Sequence, residues 1–132
     1  MIYSRIKYGI IVYGFTSKNN LNKVQVLQNQ LMKVLTLRDY RFSTNDLHTK
    51  HKILKVKDIF LQEKISFVHN YVNNKLPPMF NDYYITFSQI HNISTRNSNI
   101  NFIIPISHSN FASCSMKIEG AKVWNELDKQ LK

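Results

Sequence analysis

Between residues 56 and 73, apolar side chains recur with the period of a helix. Leu61, Ile65, Val68 and Val72 fall at i, i+4, i+7 and i+11. Phe60, Phe67 and Tyr71 widen that stripe. A helix with so broad an apolar face has to be buried on several sides, so the segment predicts the centre of a helical domain. Pro77 and Pro78 lack the amide proton that a helix interior needs, and are expected to stop it.

Other segments share the period. Ile2, Ile6, Ile10 and Tyr13 predict a first helix, ended by Gly14. Met1 enters this pattern without a capping residue, as expected of a truncated reading frame or of an internal Met used as a start. An apolar patch over Ile2, Tyr3, Ile6 and Ile10, and self-association through that exposed helix, follow from this reading. Asn19 and Asn20 offer an N-cap to a second helix over residues 21–37. Leu21, Val24, Leu27, Leu31, Val34 and Leu35 are read as its inner side, and Gln25, Asn29, Gln30 and Lys33 as its wet face. Ser43 with Asp46 fits a capping-box-like start for a short helix near residues 45–50.

Beyond residue 81 the character changes. Residues 86–101 are rich in Asn and Ser and read as loop. Ile100, Phe102, Ile104 and Ile106 alternate with other residues, as do Ala112, Cys114 and Met116, which is a strand period. Residues 107–110 would turn between them, and Pro105 makes the first an edge strand or an irregular one. A last helix over residues 118–131 would carry Ala121, Trp124, Leu127 and Leu131 inward. The expected fold is mainly α: a small helical domain with an irregular β-hairpin near residues 100–116 and a closing C-terminal helix. No repeat or long linker divides it. It reads as a single domain over 1–132, with a helical basic part, 1–80, and a loop, hairpin and helix part, 81–132.

The chain has 132 residues, 43% hydrophobic, with seven Tyr, eight Phe and one Trp. That is enough to bury a core and argues against disorder. There is no apolar run long enough to span a bilayer, so no membrane partner is expected. The single Cys114 excludes an internal disulfide framework and a Cys-rich zinc knuckle, and points to an intracellular setting, cytoplasmic or nuclear. The net charge is +10 and is uneven. Residues 1–75 hold 13 Lys and Arg against 4 acids, while residues 76–132 hold 5 against 4. A basic half suits a polyanion partner. The abundance of Asn, Ile, Lys, Tyr and Phe also fits AT-rich codons, which raise Lys over acid without selection for binding.

Several landmarks stand in a fixed order. They are Tyr8-Gly9 and Tyr13-Gly14; Leu21, Gln25 and Gln28; Leu76-Pro77-Pro78-Met79-Phe80; His91 with Thr95-Arg96; and Gly120 with Trp124-Asn125. Together they resemble the tail of the polyprotein of LINE-type (non-LTR) retrotransposons of the jockey-like group, the region that follows the reverse transcriptase core. Tyr13 stands where that family usually has Trp, Ile93 replaces a Tyr, and Asp128 stands where a Pro often follows. The resemblance implies a thumb-side region that helps hold template RNA and the RNA/DNA hybrid without sequence preference, next to a polymerase core. It also implies no chemistry in this chain, because polymerisation uses close carboxylates in the palm to hold two metal ions. No two of the eight acids here are adjacent. No catalytic residue, metal or cofactor is therefore assigned, and the chain is read as a non-catalytic piece of a reverse transcriptase. An inert remnant of a degenerate element, or a protein-interaction module that docks on a polymerase core through the face of the first helix, are the alternatives.

The candidate nucleic-acid-binding residues are Lys50, Lys52, Lys55 and Lys57, joined by Arg38, Tyr40 and Arg41. Lys is a flexible point charge suited to sequence-blind phosphate contact, and Arg interleaved with an aromatic can grip phosphate and stack a base. The same residues also fit a solvated face and a polar connector. Arg96 and Trp124 are assigned structural roles, Trp124 in the core with its indole N–H bonded. His48-x-x-His51 offers two metal-ligand types but lacks the third and fourth that zinc requires. Cys114, near His108, is read as packing.

Overall fold

The computed structural model describes residues 2–39, 41–90 and 100–132. It is mainly helical, and among the described residues there is no sheet. In chain order the helices are α1 (Ile2–Lys7), α2 (Ile10–Tyr13), α3 (Lys18–Leu35), α4 (Thr44–Lys50) and α5 (Val56–Val72). Then follow α6 (Phe87–Ile90), α7 (Asn110–Ser113) and α8 (Met116–Glu126), with 3-10 turns at Pro78–Phe80 and Lys129–Leu131. No helix among these residues is long and apolar enough to cross a membrane. The contacts group the chain into two compact units, Met1–Glu63 and Lys64–Lys132, and the divide falls inside α5.

In the first unit the expected single N-terminal helix is broken. Gly9 adopts a left-handed conformation with φ of 71°, which breaks the helix between α1 and α2. The break turns Ile10 into a core of Ile10, Val56 and Ile59, against which Ile6, Tyr13, Leu21, Val24 and Phe60 pack. Ile6 and Ile10 are thus not part of an exposed patch. Tyr3, still partly exposed, donates its hydroxyl to Gln62 Oε1 at 3.1 Å. Lys7 reaches Glu63 at 3.0 Å, and the hydrogen bond and charge of that carboxylate raise the Lys7 pKa. Gly14 is there for close approach: a Cβ would run into the Phe60 ring and the Ile10 carbonyl.

Ser17, rather than Asn19 or Asn20, stands at the start of α3. Ser43 stands at the start of α4, but its side chain makes no capping hydrogen bond, so the capping box does not form. The ends of α3, α4 and α5 share one geometry. Leu37, Lys52 and Asn74 each take a left-handed φ of 51°, 51° and 53°. The following amides of Arg38, Ile53 and Lys75 reach back to the carbonyls of Lys33, His48 and Asn70. These are Schellman ends built without glycine. Asn74 therefore ends α5, and Pro77 and Pro78 act only afterwards.

The stripe of α5 is also rotated from its expected position. Leu61 and Val72 are exposed, whereas Val56, Ile59, Lys64 and Val68 are buried. Lys64 is held at 3.6 Å from Glu119, which also pairs with Lys122 at 3.2 Å.

The second unit is built on aromatic packing. Tyr84 stacks on Phe102 with centroids 4.8 Å apart, Tyr71 meets both edge-on, and Trp124 lies 6.3 Å from Phe102. Burying such rings contributes about 1.5–3 kcal/mol each. The Tyr84 hydroxyl donates to the Met116 carbonyl at 2.9 Å. Gly120 makes room for it, since a Cβ there would collide with that hydroxyl. Trp124 is 2% exposed, and its indole N–H donates to the Ile100 carbonyl at 3.1 Å.

The expected hairpin near residues 100–116 does not form. Phe102 is extended but pairs with Thr86 through an isolated antiparallel bridge. Its other backbone partner is a side chain: the Phe102 amide donates to Asn125 Oδ1 at 2.9 Å and the Asn125 amide donates to the Phe102 carbonyl at 2.8 Å. Residues 110–113, expected as the end of the turn and the start of the second strand, make the helical turn α7, where the Ala112 amide donates to Ser109 Oγ at 3.1 Å. Cys114 is consequently exposed rather than packed. The closing helix is shorter than expected, because Leu127 is extended after Glu126, and Leu131 is exposed. The loop reading over 86–101 is replaced at its start by α6, and residues 91–99 lie outside the described residues.

Candidate nucleic-acid interface

The junction of α4 and α5 carries the basic cluster. Lys50 is the last residue of α4, Lys52 is its left-handed end, Lys55 precedes α5 and Lys57 lies in its first turn. All four are exposed. Lys55 Nζ donates to Asn45 Oδ1 at 3.1 Å. No salt bridge among the described residues engages any of the four. Unit 1 as a whole holds 11 Lys and Arg against 4 acids.

A buried polar network fixes the backbone of this junction. Gln25, Gln28 and Asn29 project from α3 toward it. The Val56 amide donates to Gln25 Oε1 at 2.8 Å. The Gln25 amide nitrogen donates to Gln28 Oε1 and Asn29 Oδ1, both at 2.9 Å. The Gln28 amide donates to the Leu54 carbonyl at 2.9 Å. His48 Nδ1 donates to the Ile53 carbonyl at 3.0 Å, and His48 Nε2 lies 3.0 Å from Asn29 Oδ1. Three backbone groups between Ile53 and Val56 are thus satisfied by side chains in a segment that has no helical partner for them. A buried network satisfied in this way rigidifies what it holds.

The network changes the expected faces of α3 in part: Leu21 and Val24 pack inward and Gln30 is exposed, as expected. Gln25 and Asn29 turn in, while Leu27, Leu31 and Val34 are 58%, 44% and 70% exposed. Hydropathy alone assigns amides to water; the signal that points the other way is the i, i+3, i+4 spacing of Gln25, Gln28 and Asn29. His48, considered above as half a metal site, has both ring nitrogens in hydrogen bonds, whereas His51 is exposed. Among the described residues no group of three or more His, Cys, Asp and Glu is placed to hold a metal ion.

Arg38 and Lys50, read from separate segments, come together. They line one cleft of about 350 Å³ with Phe42, Asp46 and His51. The Arg38 guanidinium lies 5.0 Å over the Phe42 ring. Arg41 is exposed. Tyr40 and Arg96 lie outside the described residues. On the other side of the same junction, Lys52 borders a larger groove of about 600 Å³. Trp124 belongs to the second unit and is part of its core. No protein-family model, curated protein or solved structure matches the chain.

Proposed function

We propose that this chain holds the phosphate backbone of RNA or of an RNA/DNA hybrid without reading its sequence, as a non-catalytic, thumb-side region of a LINE-type reverse transcriptase. One observation carries the reading: Lys50, Lys52, Lys55 and Lys57 are exposed and free of carboxylate partners among the described residues, on a junction whose backbone is held by buried amides. Phosphate contacts need positive charge at a fixed place and no base recognition. Arg38 and Lys50, sharing a cleft, extend the positive surface to the end of α3. The ordered landmarks that resemble the retrotransposon tail give the same direction.

The test is the salt dependence of binding. Changing Lys50, Lys52, Lys55 and Lys57 together to Gln lowers the slope of log affinity against log salt by about 3–4 on duplex DNA and by about 3 on single strands. A control with Lys18, Lys23, Lys75 and Lys117 changed to Gln removes the same charge elsewhere and leaves most of the slope. Equal losses reduce the attraction to net charge without a site. Absence of salt-sensitive binding by the unaltered chain replaces this reading with that of an inert remnant.

A second reading, docking on another protein such as a polymerase core, is favoured by the exposed row Leu27, Leu31 and Val34 on α3. Leu31→Glu abolishes pull-down of such a core under that reading and leaves salt-sensitive nucleic-acid binding intact.

A further inference from the structure

The groove beside Lys52 differs in character from the cleft beside Lys50. It is lined by the largely apolar Tyr3, Met32, Ile53 and Leu54 and by the polar Gln28, Lys52 and Gln62. At about 600 Å³ it falls in the size range of small-ligand sites, which are mainly apolar with a few placed polar groups. Among the described residues, Lys52 is the only charged residue lining it. Its ammonium puts a positive charge beside an apolar seat. The Gln62 oxygen already accepts the Tyr3 hydroxyl, while its amide nitrogen is engaged by no hydrogen bond among the described residues. That leaves a donor free in the lining.

We propose that this groove seats one unpaired nucleobase of a single strand, with the adjoining phosphate on Lys52. The inference rests on the phosphate-contact reading above and adds to it a preference for single-stranded nucleic acid. A duplex keeps its bases stacked inside and offers phosphate alone, whereas a single strand can place a base on an aromatic wall. Tyr3 supplies that wall, Met32 and Leu54 the apolar floor, and the Gln62 amide a donor that base carbonyls accept. Stacking tolerates any base, in keeping with contact that ignores sequence. The floor is fixed from behind, because Ile53 and Leu54 are the residues whose carbonyls His48 and Gln28 hold.

The experiment uses the full chain and oligothymidylate carrying one fluorescent adenine analogue, free or annealed into a duplex. The single strand is expected to bind with a saturable change of the analogue's emission, and the duplex without one. Tyr3→Leu is expected to abolish the emission change and to weaken single-strand binding about tenfold while leaving duplex affinity unchanged. Lys52→Gln is expected to weaken both. As a measurement independent of variants, photocrosslinking of an iodouracil-bearing strand to the unaltered chain is expected to label Tyr3. Equal affinity for single strand and duplex, with no effect of Tyr3→Leu, overturns the base seat and leaves the phosphate reading standing. Crosslinks confined to tyrosines outside the groove, such as Tyr8 or Tyr71, overturn it as well. Loss of salt-sensitive binding to every polyanion removes the phosphate reading and the seat with it.

Discussion

Gln28 on α3 and Leu54 in the turn before α5 are joined across 26 residues of sequence, the Gln28 amide donating to the Leu54 carbonyl at 2.9 Å. Gln28 is 2% exposed while Leu54 is 41% exposed, so this bond is partly buried. The partner of a surface-lysine turn is therefore a core glutamine.

Gln28→Leu keeps the bulk and removes the donor. The Leu54 carbonyl and one Gln25 N–H then lose their partner in a partly buried place. An unsatisfied buried group costs about 1–3 kcal/mol, and that is the expected fall in unfolding free energy by urea titration. Faster hydrogen exchange at the Val56 amide, which donates to Gln25 Oε1, should accompany it.

Gly120→Ala is expected to destabilise the second unit by about 1–3 kcal/mol, as overpacking does. The new methyl meets the Tyr84 hydroxyl. Tyr84→Phe removes that oxygen together with its bond to the Met116 carbonyl. The double variant Gly120→Ala, Tyr84→Phe should therefore be more stable than the two single losses added together. Strict additivity in a double-mutant cycle would show that the collision is not the cause.

Leu37 is 93% exposed and has a φ of 51°. Its side chain contributes little packing, yet it occupies a conformation that costs a non-glycine about 1 kcal/mol or more. Leu37→Gly is expected to raise stability by about 0.5–1 kcal/mol, because glycine adopts the left-handed end of a helix at less cost. A lowered thermal midpoint would refute it.

Burial raises the pKa of Tyr84 well above its ordinary 10.0, with the neighbouring Tyr83 and Tyr71 adding to the effect, and burial raises Tyr83 and Tyr13 in the same direction. A raised pKa in the folded chain means that the unfolded chain gives up its proton first. The stability these groups contribute is whole below about pH 10 and is lost as pH climbs through their folded values. The urea midpoint should fall in that alkaline range, and Tyr84→Phe should flatten the fall. A midpoint unchanged by alkali would contradict the burial of Tyr84.

Helical class is legible because a period of 3.6 residues is a local property, and α5 begins at Val56 and ends at Val72 as its apolar pattern suggests. The choice of inner face is not local. On α3 the amides turn inward because the Leu54 carbonyl and the Val56 amide, more than twenty residues away, need a donor and an acceptor. No hydropathy pattern contains that demand. The alternation at Ile100, Phe102 and Ile104 does reflect extended backbone at Phe102. Its partner is the Asn125 side chain rather than a second strand, so alternation alone overstates it as a hairpin. The basic cluster is visible as composition; that Arg38 and Lys50 line one cleft is not, since it depends on how α3 meets α4. Landmark residues prove to be structural ones: Gln25, Gln28, Gly120, Trp124 and Asn125 all serve backbone groups or close packing.

Leu37, Lys52 and Asn74 end three helices in a left-handed conformation that glycine would adopt at less cost, in a chain with only 3 glycines. Stored conformational energy of this kind sets where a fold unravels first. Fraying should therefore start at these three ends while the helix middles stay closed. Of the three, Lys52 opens the turn whose backbone the His48, Gln28 and Gln25 side chains hold, so when that end opens, the lysine turn loosens as a unit without the rest of α3 or α5 melting. A polyanion bound across the turn would close that opening, and protection from exchange at the Ile53 amide would report its arrival.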